Sequence, residues 1–330
     1  MTQARTIAVL GAGSWGTALA NVTARTGADT VLWARNEAHI GELCAERQNR
    51  RRLPGIALEA GVRPSAKLTD VAQASIILAV VPAQALRAMC EQLKPVVAEG
   101  VPIVVCAKGI ERQTGQFMSD VVADVLPRNP PAILSGPSFA TDVAKGLPTA
   151  VTLAAHDETL ARDLVGALGI PSFRLYHSVD LRGVEIGGAA KNVLAIACGI
   201  AQGRGLGASA GAALVARGFA ELMRFGHEYG ARPQTLMGLS GLGDLVLTCG
   251  SEQSRNFSLG LALGRGENIA SASGGKLAEG AFTAGILVEM AKMRGVDMPI
   301  AQSVDAVLGE RITVREAIEA LLMRPSKSEI

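Results

Sequence analysis

The sequence predicts an α/β fold in which a doubly wound, mainly parallel sheet is followed by an all-α domain. Short β-rich runs alternate with amphipathic helical stretches from Thr6 to about His177, and only helical patterns follow. Such alternation is typical of βαβ units. Because 330 residues are more than one ordinary core needs, we expect two domains, residues 1–180 and 181–330.

Seven runs rich in apolar and β-branched residues are the expected strands. They are Thr6–Leu10, Thr30–Ala34, Ile76–Val81, Ile103–Ala107, Ala132–Leu134, Ala150–Leu153 and Ser172–Tyr176. Three are almost wholly apolar, as expected when helices cover both faces of a sheet. Helical spacing of apolar residues predicts the intervening helices at Thr17–Thr26, Ala83–Leu93, Gly115–Leu126 and Glu158–Leu168.

The second half reads as helix throughout. The expected helices are Leu181–Ala201, Ser209–Tyr229, Pro233–Leu239, Asn256–Gly264, Thr283–Arg294, Ile300–Leu308 and Val314–Met323. The first is the most apolar, but it contains Glu185 and Lys191. Ionisable residues inside an apolar stretch favour a buried core helix over a membrane span.

Composition narrows the class of protein. The net charge is +2 and 19% of residues are charged, which gives no electrostatic reason to expect a nucleic-acid partner. The five cysteines show no Cys-x-x-Cys spacing, and neither a signal peptide nor a transit peptide is recognised. We therefore expect reduced thiols and a cytoplasmic protein. The cluster Arg47, Arg50, Arg51 and Arg52 is interpreted as a solvated loop in preference to a ligand site.

The segment Gly11–Gly16 reads Gly-Ala-Gly-Ser-Trp-Gly and lies between the first expected strand and helix. In that setting Gly11 permits a tight turn, Gly13 allows close approach of a pyrophosphate, and Gly16 lets the helix pack on the strand. The pyrophosphate would meet the positive end of the helix. This pattern predicts a Rossmann domain that binds a dinucleotide.

The end of the second strand bears on which dinucleotide is bound. Sites that prefer NAD usually place a carboxylate here to accept from the ribose, whereas this chain has Arg35. A guanidinium suits a 2′-phosphate, so we expect NADPH. Glu37 lies nearby and could accept from a ribose hydroxyl, which leaves NADH possible. The alternative to a cofactor role for Arg35 is that it only ends the strand in solvent.

Three other stretches combine glycine with residues that can carry chemistry. They are Cys106–Glu111, Gly187–Asn192 and a glycine-rich loop beginning at Gly241 that leads to a helix with Arg255 at its mouth. The four histidines are scattered and no Gly-x-Ser-x-Gly elbow is present, so neither a metal site nor acyl transfer is expected. Lys191 and Asn192 place a lysine and an amide inside an otherwise apolar helix, and the alternative to a chemical role is that the Lys191 side chain only extends to solvent.

Several of these motifs together resemble the bacterial NAD(P)-dependent glycerol-3-phosphate dehydrogenase family. They occur in order over nearly the whole chain as Gly11–Ala20, Lys108–Glu111, Leu134–Ala140, Lys191–Asn192, Gly241–Leu245 with Thr248, Ser254–Asn256 and Ala278–Gly280. The chain departs little from the family pattern: Leu277 stands where valine is expected, and Ser138 where threonine is also common.

The resemblance implies an enzyme that interconverts dihydroxyacetone phosphate and sn-glycerol 3-phosphate with NAD(P)H, supplying phospholipid synthesis, and it implies a homodimer. Lys191 would be the general acid and base, held by Asp244. Residues implied to contact the substrate are Lys108, Gly136, Ser138, Lys191, Asn192, Asp244, Ser254, Arg255 and Asn256. Residues implied to line the cofactor, beyond the three glycines, are Ser14, Trp15, Arg35, Lys108, Ala140, Arg255, Leu277 and Glu279.

Two other functions stay open from the residues. A β-hydroxyacid dehydrogenase of similar architecture would bind a carboxylate, but Ser254, Arg255 and Asn256 favour a phosphate. A non-catalytic NADPH-binding sensor would have no use for a proton donor such as Lys191. The cofactor ratio, the direction of the reaction in the cell, feedback inhibition and subunit number do not follow from the sequence.

Overall fold

The computed structural model describes residues 5–272 and 278–325. The chain forms two compact units, one up to Glu185 and the other from Ile186 onward. The change of unit falls inside a helix that begins at Leu181.

The first unit is built on an eight-stranded sheet. Its strands are β1 (Thr6–Leu10), β2 (Asp29–Trp33), β3 (Val62–Ser65), β4 (Ile76–Ala79), β5 (Ile103–Val105), β6 (Pro131–Ser135), β7 (Thr149–Ala155) and β8 (Phe173–Ser178). They lie in the order β3-β2-β1-β4-β5-β6-β7-β8. Every neighbouring pair is parallel except β6 and β7. The predicted doubly wound, mainly parallel sheet is confirmed.

All seven predicted strands are present, and β3 is the one that the sequence analysis does not predict. Its four residues include Pro64 and the exposed Arg63, so it lacks both an apolar run and a clear alternation. It pairs with β2 at the edge of the sheet, where proline is tolerated.

The two faces of the sheet bury separate cores because successive side chains of a strand point to opposite faces. Ile7 and Val9 of β1 lie in one apolar cluster, whereas Ala8 and Leu10 lie in the other. Both clusters are covered by helices, which accounts for the apolar character of the central strands. Consecutive apolar residues in β1 are therefore explained by burial on both sides.

Six helices follow in the described part of the first unit. They are α1 (Ser14–Arg25), α2 (Glu37–Glu46), α3 (Leu86–Leu93), α4 (Met118–Val125), α5 (Ala140–Ala144) and α6 (Glu158–Leu168). The four predicted helices are confirmed, although α3 and α4 each begin three residues later than the pattern indicates, and Ala83–Ala85 forms a 3-10 turn before α3. The sequence analysis does not predict α2 or the short α5. Asn36 caps α2 by accepting from the His39 amide, a signal that the sequence contained.

Helix α7 (Leu181–Gly203) leads into a second unit that, in its described residues, contains helices and no strand. The others are α8 (Gly207–Glu228), α9 (Pro233–Leu236), α10 (Asp244–Cys249), α11 (Arg255–Gly264), α12 (Ile269–Ala272), α13 (Glu279–Met293), α14 (Pro299–Leu308) and α15 (Val314–Leu322). The predicted all-α character is confirmed.

The stretch from Gly241 is not the glycine-rich loop that the sequence analysis predicts. Leu239–Gly243 forms a π-helical turn that continues directly into α10. A Cβ at Gly241 would lie 1.9 Å from the Leu236 carbonyl oxygen, so the glycine is needed for close packing. The prediction was wrong because glycine was interpreted as a sign of irregular backbone.

Helices α7 and α11 touch through their backbones at four glycines. A Cβ at Gly199 would lie 2.1 Å from the Phe257 carbonyl oxygen, and one at Gly260 would lie 2.1 Å from that of Ile196. Gly203 and Gly264 make equivalent close approaches. No larger residue fits at these positions without separating the two helices.

Helix α7 is the one described helix long and apolar enough to cross a membrane, and its 18-residue apolar window is entirely buried. Burial of this kind is expected of a core helix, as the sequence analysis predicts.

Candidate active site

The turn between β1 and α1 has the steric properties that a dinucleotide turn requires. Gly11 has φ +116°, and a Cβ there would lie 2.5 Å from the Val80 carbonyl oxygen. A Cβ at Gly16 would lie 1.8 Å from the Gly11 carbonyl oxygen. At Gly13, by contrast, a Cβ would meet nothing within 4 Å. The first and last glycines are therefore fixed by the protein itself, whereas Gly13 leaves open space.

That open space lies at the start of α1. Gly13 is the N-cap residue, and no side chain caps the helix there. A helix N-terminus without a capping side chain presents backbone N–H groups and the positive end of the dipole. The turn therefore fits the pyrophosphate of a dinucleotide.

Ser14 and Trp15 begin α1 directly after this turn. The Ser14 hydroxyl donates to the Arg52 carbonyl oxygen at 2.6 Å, so it holds a neighbouring loop in this structure. The Trp15 ring is partly buried and lies 6.3 Å from the Phe173 ring, centroid to centroid. Both residues directly follow the turn, and their contact with the cofactor stays a prediction.

Arg35 lies just past the end of β2 and is exposed. Within residues 5–272 and 278–325 its guanidinium makes no hydrogen bond or ion pair. Asn36 is occupied in capping α2, and Glu37 lies in the first turn of that helix. The guanidinium is thus available to an anion at the carboxyl edge of the sheet.

Lys108, Gly136 and Ser138 come together beyond the carboxyl ends of the adjacent strands β5 and β6. The Lys108 ammonium donates to the Gly136 carbonyl oxygen at 3.2 Å, and the Ser138 hydroxyl donates to the same oxygen at 3.0 Å. Gly136 has φ +152°, and a Cβ there would lie 2.8 Å from the Cα of Val151. Three predicted substrate residues of the first unit therefore form one cluster, and Ala140 follows as the first residue of α5.

The loop that carries Lys108 is anchored by an ion pair. Arg87 of α3 donates through Nε and Nη2 to the two carboxylate oxygens of Glu111, at 2.9 and 3.0 Å. Hydrogen bonds from Arg87 and Thr114 lower the pKa of the Glu111 carboxyl despite its burial. Gln84 donates to the Ile110 carbonyl oxygen in the same loop.

Lys191 in the second unit is buried and paired. Its ammonium donates to the Asp244 carboxylate at 2.5 Å and to the Thr248 hydroxyl at 2.7 Å. Lys191 is 5% exposed and Asp244 is 1% exposed. This contradicts the alternative in which the lysine extends to solvent. Asp244 and Thr248 share a face of α10 because they are four residues apart on a helix.

Thr248 is a polar contact of Lys191 that the predicted site residues do not include. The Thr248 hydroxyl also lies 3.3 Å from the Asp244 carboxylate. If residues 244–249 had been interpreted as a helix, the spacing of four residues would have indicated that Asp244 and Thr248 lie side by side.

Asn192 and Asn256 both lie against the start of α13. The Asn256 side-chain oxygen accepts from the Gly280 amide at 2.8 Å. A Cβ at Gly280 would lie 2.7 Å from both that oxygen and the Asn192 carbonyl oxygen. Asn192, Asn256 and the first two residues of α13 are therefore neighbours in the structure.

Ser254 and Arg255 form the N-terminus of α11. Ser254 is buried, and its hydroxyl accepts from the Phe257 amide as the N-cap. Arg255 is the first helical residue and is exposed. A guanidinium beside free helix N–H groups is a ready anion site. Leu277, the remaining predicted cofactor residue, lies outside the described residues.

The five cysteines carry free thiols. Among the described residues, no group of three His, Cys, Asp or Glu side chains could hold a metal ion.

A doubly wound sheet with a dinucleotide turn, followed by a helical unit that holds a buried lysine, is typical of nicotinamide-dependent dehydrogenases. Two family profiles match this chain: NAD-dependent glycerol-3-phosphate dehydrogenase N-terminus over residues 6–161 and the C-terminus of the same family over residues 180–319. The chain belongs to the NAD-dependent glycerol-3-phosphate dehydrogenase family, and it is an oxidoreductase with a nicotinamide cofactor.

Relatives of known name cover the whole chain. Glycerol-3-phosphate dehydrogenase [NAD(P)+] of Azorhizobium caulinodans is 62% identical over 98% of both chains. The protein of the same name from Beijerinckia indica is 62% identical over 100% of this chain and 99% of its own. The crystal structure of glycerol-3-phosphate dehydrogenase from Coxiella burnetii is 40% identical, with a TM-score of 0.93 over 97% of this chain and 99% of its own.

Proposed function

We propose that this protein interconverts dihydroxyacetone phosphate and sn-glycerol 3-phosphate with NADPH or NADH. The observation that carries the proposal is the buried Lys191 ammonium, held by Asp244 and Thr248. A reduction of this kind adds a hydride to the carbonyl carbon and a proton to the carbonyl oxygen. The bound cofactor supplies the hydride, and this chain has to supply the proton.

Lys191 is the proposed general acid. Its ammonium gives a proton to the alkoxide oxygen as the carbonyl is reduced, and the amine takes a proton from the hydroxyl in the reverse direction. Before transfer, the positive charge stabilises the negative charge that develops on oxygen. Asp244 and Thr248 fix the position of the nitrogen, and Asp244 stabilises its charged form.

Arg255 is the proposed ligand of the substrate phosphate. It is exposed at the first position of α11, so the guanidinium and the helix N–H groups would bind the same anion. Ser254, Asn256 and Asn192 are proposed to complete this part of the site, with Lys108, Gly136 and Ser138 as further substrate contacts. Binding the non-reacting phosphate would orient the carbonyl carbon for hydride transfer.

NADPH is the proposed preferred cofactor. The exposed Arg35 guanidinium has no carboxylate beside it in the ion pairs of the described residues, and a 2′-phosphate would provide one anionic partner. Gly11, Gly13 and Gly16 would receive the pyrophosphate. Ser14, Trp15, Lys108, Ala140, Arg255, Leu277 and Glu279 are the other proposed cofactor contacts.

Loss of NADPH absorbance with dihydroxyacetone phosphate tests the function directly. We expect rapid oxidation of NADPH, slower oxidation of NADH, and little reaction with unphosphorylated dihydroxyacetone or with a β-keto acid. No turnover with dihydroxyacetone phosphate by a folded protein that binds NADPH would contradict the proposal.

The remaining parts of the proposal concern the cell. The product, glycerol 3-phosphate, would supply phospholipid synthesis. The proposed compartment is the cytoplasm, where cysteines stay reduced, and the five free thiols agree with it. A homodimer is proposed from the family resemblance. Sedimentation of the purified protein at several concentrations would test the subunit number.

A further inference from the structure

Asn49 lies in the arginine-rich segment that follows α2, and it is the buried member of that segment. It is 1% exposed, whereas Arg50, Arg51 and Arg52 are exposed. Its side-chain nitrogen donates to the Ala12 carbonyl oxygen at 3.1 Å and to the Thr17 hydroxyl at 2.7 Å. One buried amide therefore contacts both the glycine turn and the first turns of α1.

The orientation of this amide follows from its partners. A carbonyl oxygen can only accept, so the side-chain nitrogen of Asn49 has to face Ala12. The side-chain oxygen is then buried without a hydrogen-bond partner. An unpaired buried acceptor costs stability that a leucine of similar size would not cost. The contacts of the Asn49 amide are therefore the two hydrogen bonds that its nitrogen donates, and these two donors are what the side chain contributes to the turn.

The first donor fixes a peptide group of the glycine turn. His39 contributes a second contact to the same Ala12 oxygen, at 3.3 Å. In a planar trans peptide the carbonyl and the following N–H point in opposite directions. Holding the Ala12 oxygen toward Asn49 therefore directs the Gly13 N–H away from it.

The Gly13 N–H has no acceptor among the hydrogen bonds of the described residues. Gly13 is also where a Cβ would meet nothing within 4 Å. The N–H donor and the open space around the Cβ position belong to the same residue at the start of α1, so a ligand anion bound there could accept from this amide.

We propose that Asn49 is a positioning residue for the dinucleotide, and that it holds the Ala12–Gly13 peptide so that the Gly13 N–H points at the pyrophosphate. The inference rests on the proposed assignment of the glycine turn to the cofactor. In this proposal the arginine-rich segment supports the glycine turn through the Asn49 side chain and through its own backbone, and not through its arginine side chains.

The backbone of the same segment makes a second connection. Ser14 donates to the Arg52 carbonyl oxygen, and Leu53 donates its amide to the Asn49 carbonyl oxygen at 2.7 Å. The segment is therefore held as a turn against the N-terminus of α1. Arg51 pairs with Glu42 and Arg50 pairs with Glu46. These two arginine side chains therefore contact α2 and not the glycine turn.

Asn21 of α1, the helix that Asn49 contacts, provides a matched control. It is fully buried, donates to the Ala57 carbonyl oxygen at 2.8 Å and accepts from the Glu59 amide at 3.0 Å. It holds the next part of the same connection against α1, two turns beyond the glycine turn. Losing Asn21 removes a comparable buried amide without releasing the Ala12–Gly13 peptide.

The experiment measures dissociation constants of NADPH and NADH by fluorescence for the parent, Asn49→Leu and Asn21→Leu, with thermal unfolding of each. We expect Asn49→Leu to weaken both cofactors alike by about tenfold, because both contain the pyrophosphate and one hydrogen bond sets the peptide. Asn21→Leu should stay within about twofold of the parent although its melting temperature falls. Equal weakening in both variants, or none in Asn49→Leu, would overturn the proposal.

Gly13→Val separates this proposal from the assignment of the turn itself. If Gly13→Val weakens binding while Asn49→Leu leaves it intact, the turn stays the cofactor site and only the role of Asn49 is rejected. If Gly13→Val also binds normally, the proposed cofactor site is wrong and the role of Asn49 falls with it. Should Asn49→Leu fail to fold, Asn49→Gln keeps the amide and shifts it by one methylene, and we expect the same loss of binding.

Discussion

The two units of this protein supply binding groups of different kinds. In the first unit the candidate contacts combine backbone features, namely the Gly11–Gly16 turn, the start of α1 and the Gly136 carbonyl group, with side chains such as Arg35, Lys108 and Ser138. In the second unit they are side chains on helices: Lys191, Asp244, Asn192 and Arg255. Because a backbone feature depends on conformation and a side-chain feature on residue type, the two halves should respond to mutation in different ways.

The expected mutational pattern follows from this contrast. Replacing Lys191 in the second unit should remove chemistry while leaving cofactor affinity intact. Changes at the glycine turn should remove either the fold or the cofactor, depending on which glycine is changed. We expect the following variants to test the contrast, beginning with the largest effect.

Lys191→Met should reduce turnover by about 10⁴-fold or more, because general acid catalysis alone contributes roughly 10²–10⁴-fold and the same charge stabilises the alkoxide. The variant also leaves the buried Asp244 carboxylate without its cation, which costs about 3–5 kcal/mol of stability. Single-turnover hydride transfer, with NADPH binding measured separately by fluorescence, checks the first effect. Thermal unfolding checks the second.

Lys191→Met combined with Asp244→Asn is the control for folding. The amide removes the unpaired charge, so the double variant should recover stability and NADPH affinity but not turnover. Hydride transfer within tenfold of the parent in a variant that binds NADPH would exclude Lys191 from the mechanism.

Arg255→Ala should cost about 2–5 kcal/mol in kcat/KM for dihydroxyacetone phosphate, because a charge partner of the phosphate is lost. Unphosphorylated dihydroxyacetone should be affected far less. Arg265→Ala, at the other end of α11 and equally exposed, is the matched control and should leave both substrates unchanged. If both substrates lost the same factor in Arg255→Ala, Arg255 would not be the phosphate ligand.

Gly13→Val and Gly16→Ala should fail in different ways. A Cβ at Gly13 meets nothing in the protein but lies at the proposed pyrophosphate position, so Gly13→Val should weaken binding by roughly 1–3 kcal/mol, or about five- to 150-fold, at an unchanged melting temperature. Gly16→Ala places a Cβ 1.8 Å from a backbone oxygen, so we expect loss of soluble, folded protein. Thermal unfolding beside NADPH titration separates them, and a stable Gly16→Ala that still binds would contradict the geometry.

Glu221 should make the second unit less stable as pH rises. Its carboxylate accepts from the Ile300 and Ala301 amides, and burial raises its pKa to about 7. The folded state then binds the proton more tightly than the unfolded state, so stability falls as pH increases from about 4.5 to about 7, by on the order of 1–3 kcal/mol.

Glu221→Gln should flatten that pH dependence, as measured by denaturant unfolding at several pH values. Burial also raises the pKa of Glu185 in the first unit to about 7, so part of the slope should remain. An unchanged slope in Glu221→Gln would show that Glu221 does not titrate in this range.

Arg35→Asp should change the ratio of NADPH to NADH affinity by about tenfold in favour of NADH, because the carboxylate repels a 2′-phosphate and accepts from a ribose hydroxyl. Competitive titrations with both cofactors measure the ratio, and NADH serves as the internal control. Equal weakening of both cofactors would show that Arg35 does not select between them.

The sequence predicted the order of strands and helices because burial on both faces leaves apolar runs that are easily recognised. It did not predict the antiparallel pairing of β6 with β7, since strand direction depends on the connection and not on the strand. Strand β3 was not predicted because Arg63 and Pro64 interrupt the apolar pattern of a strand that is only four residues long.

The candidate site was predictable only where residue type carries the signal. Lys191, Asp244 and Arg255 stood out as charged groups in apolar or glycine-rich surroundings. Asn49 did not, because its significance lies in a contact with Ala12 that is 37 positions away. Thr248 was missed for another reason, since the glycines before α10 were interpreted as a loop.

The glycine contacts between α7 and α11 limit how this enzyme could be redesigned for other substrates. One helix carries the proposed acid and the other begins at the proposed phosphate ligand, and their separation is set by backbone atoms. Replacing the side chains that line the site, with the four glycines kept, would leave that separation unchanged. A variant for longer phosphorylated ketones would therefore have to extend the segment between α10 and α11, leaving the two helices and their crossing in place.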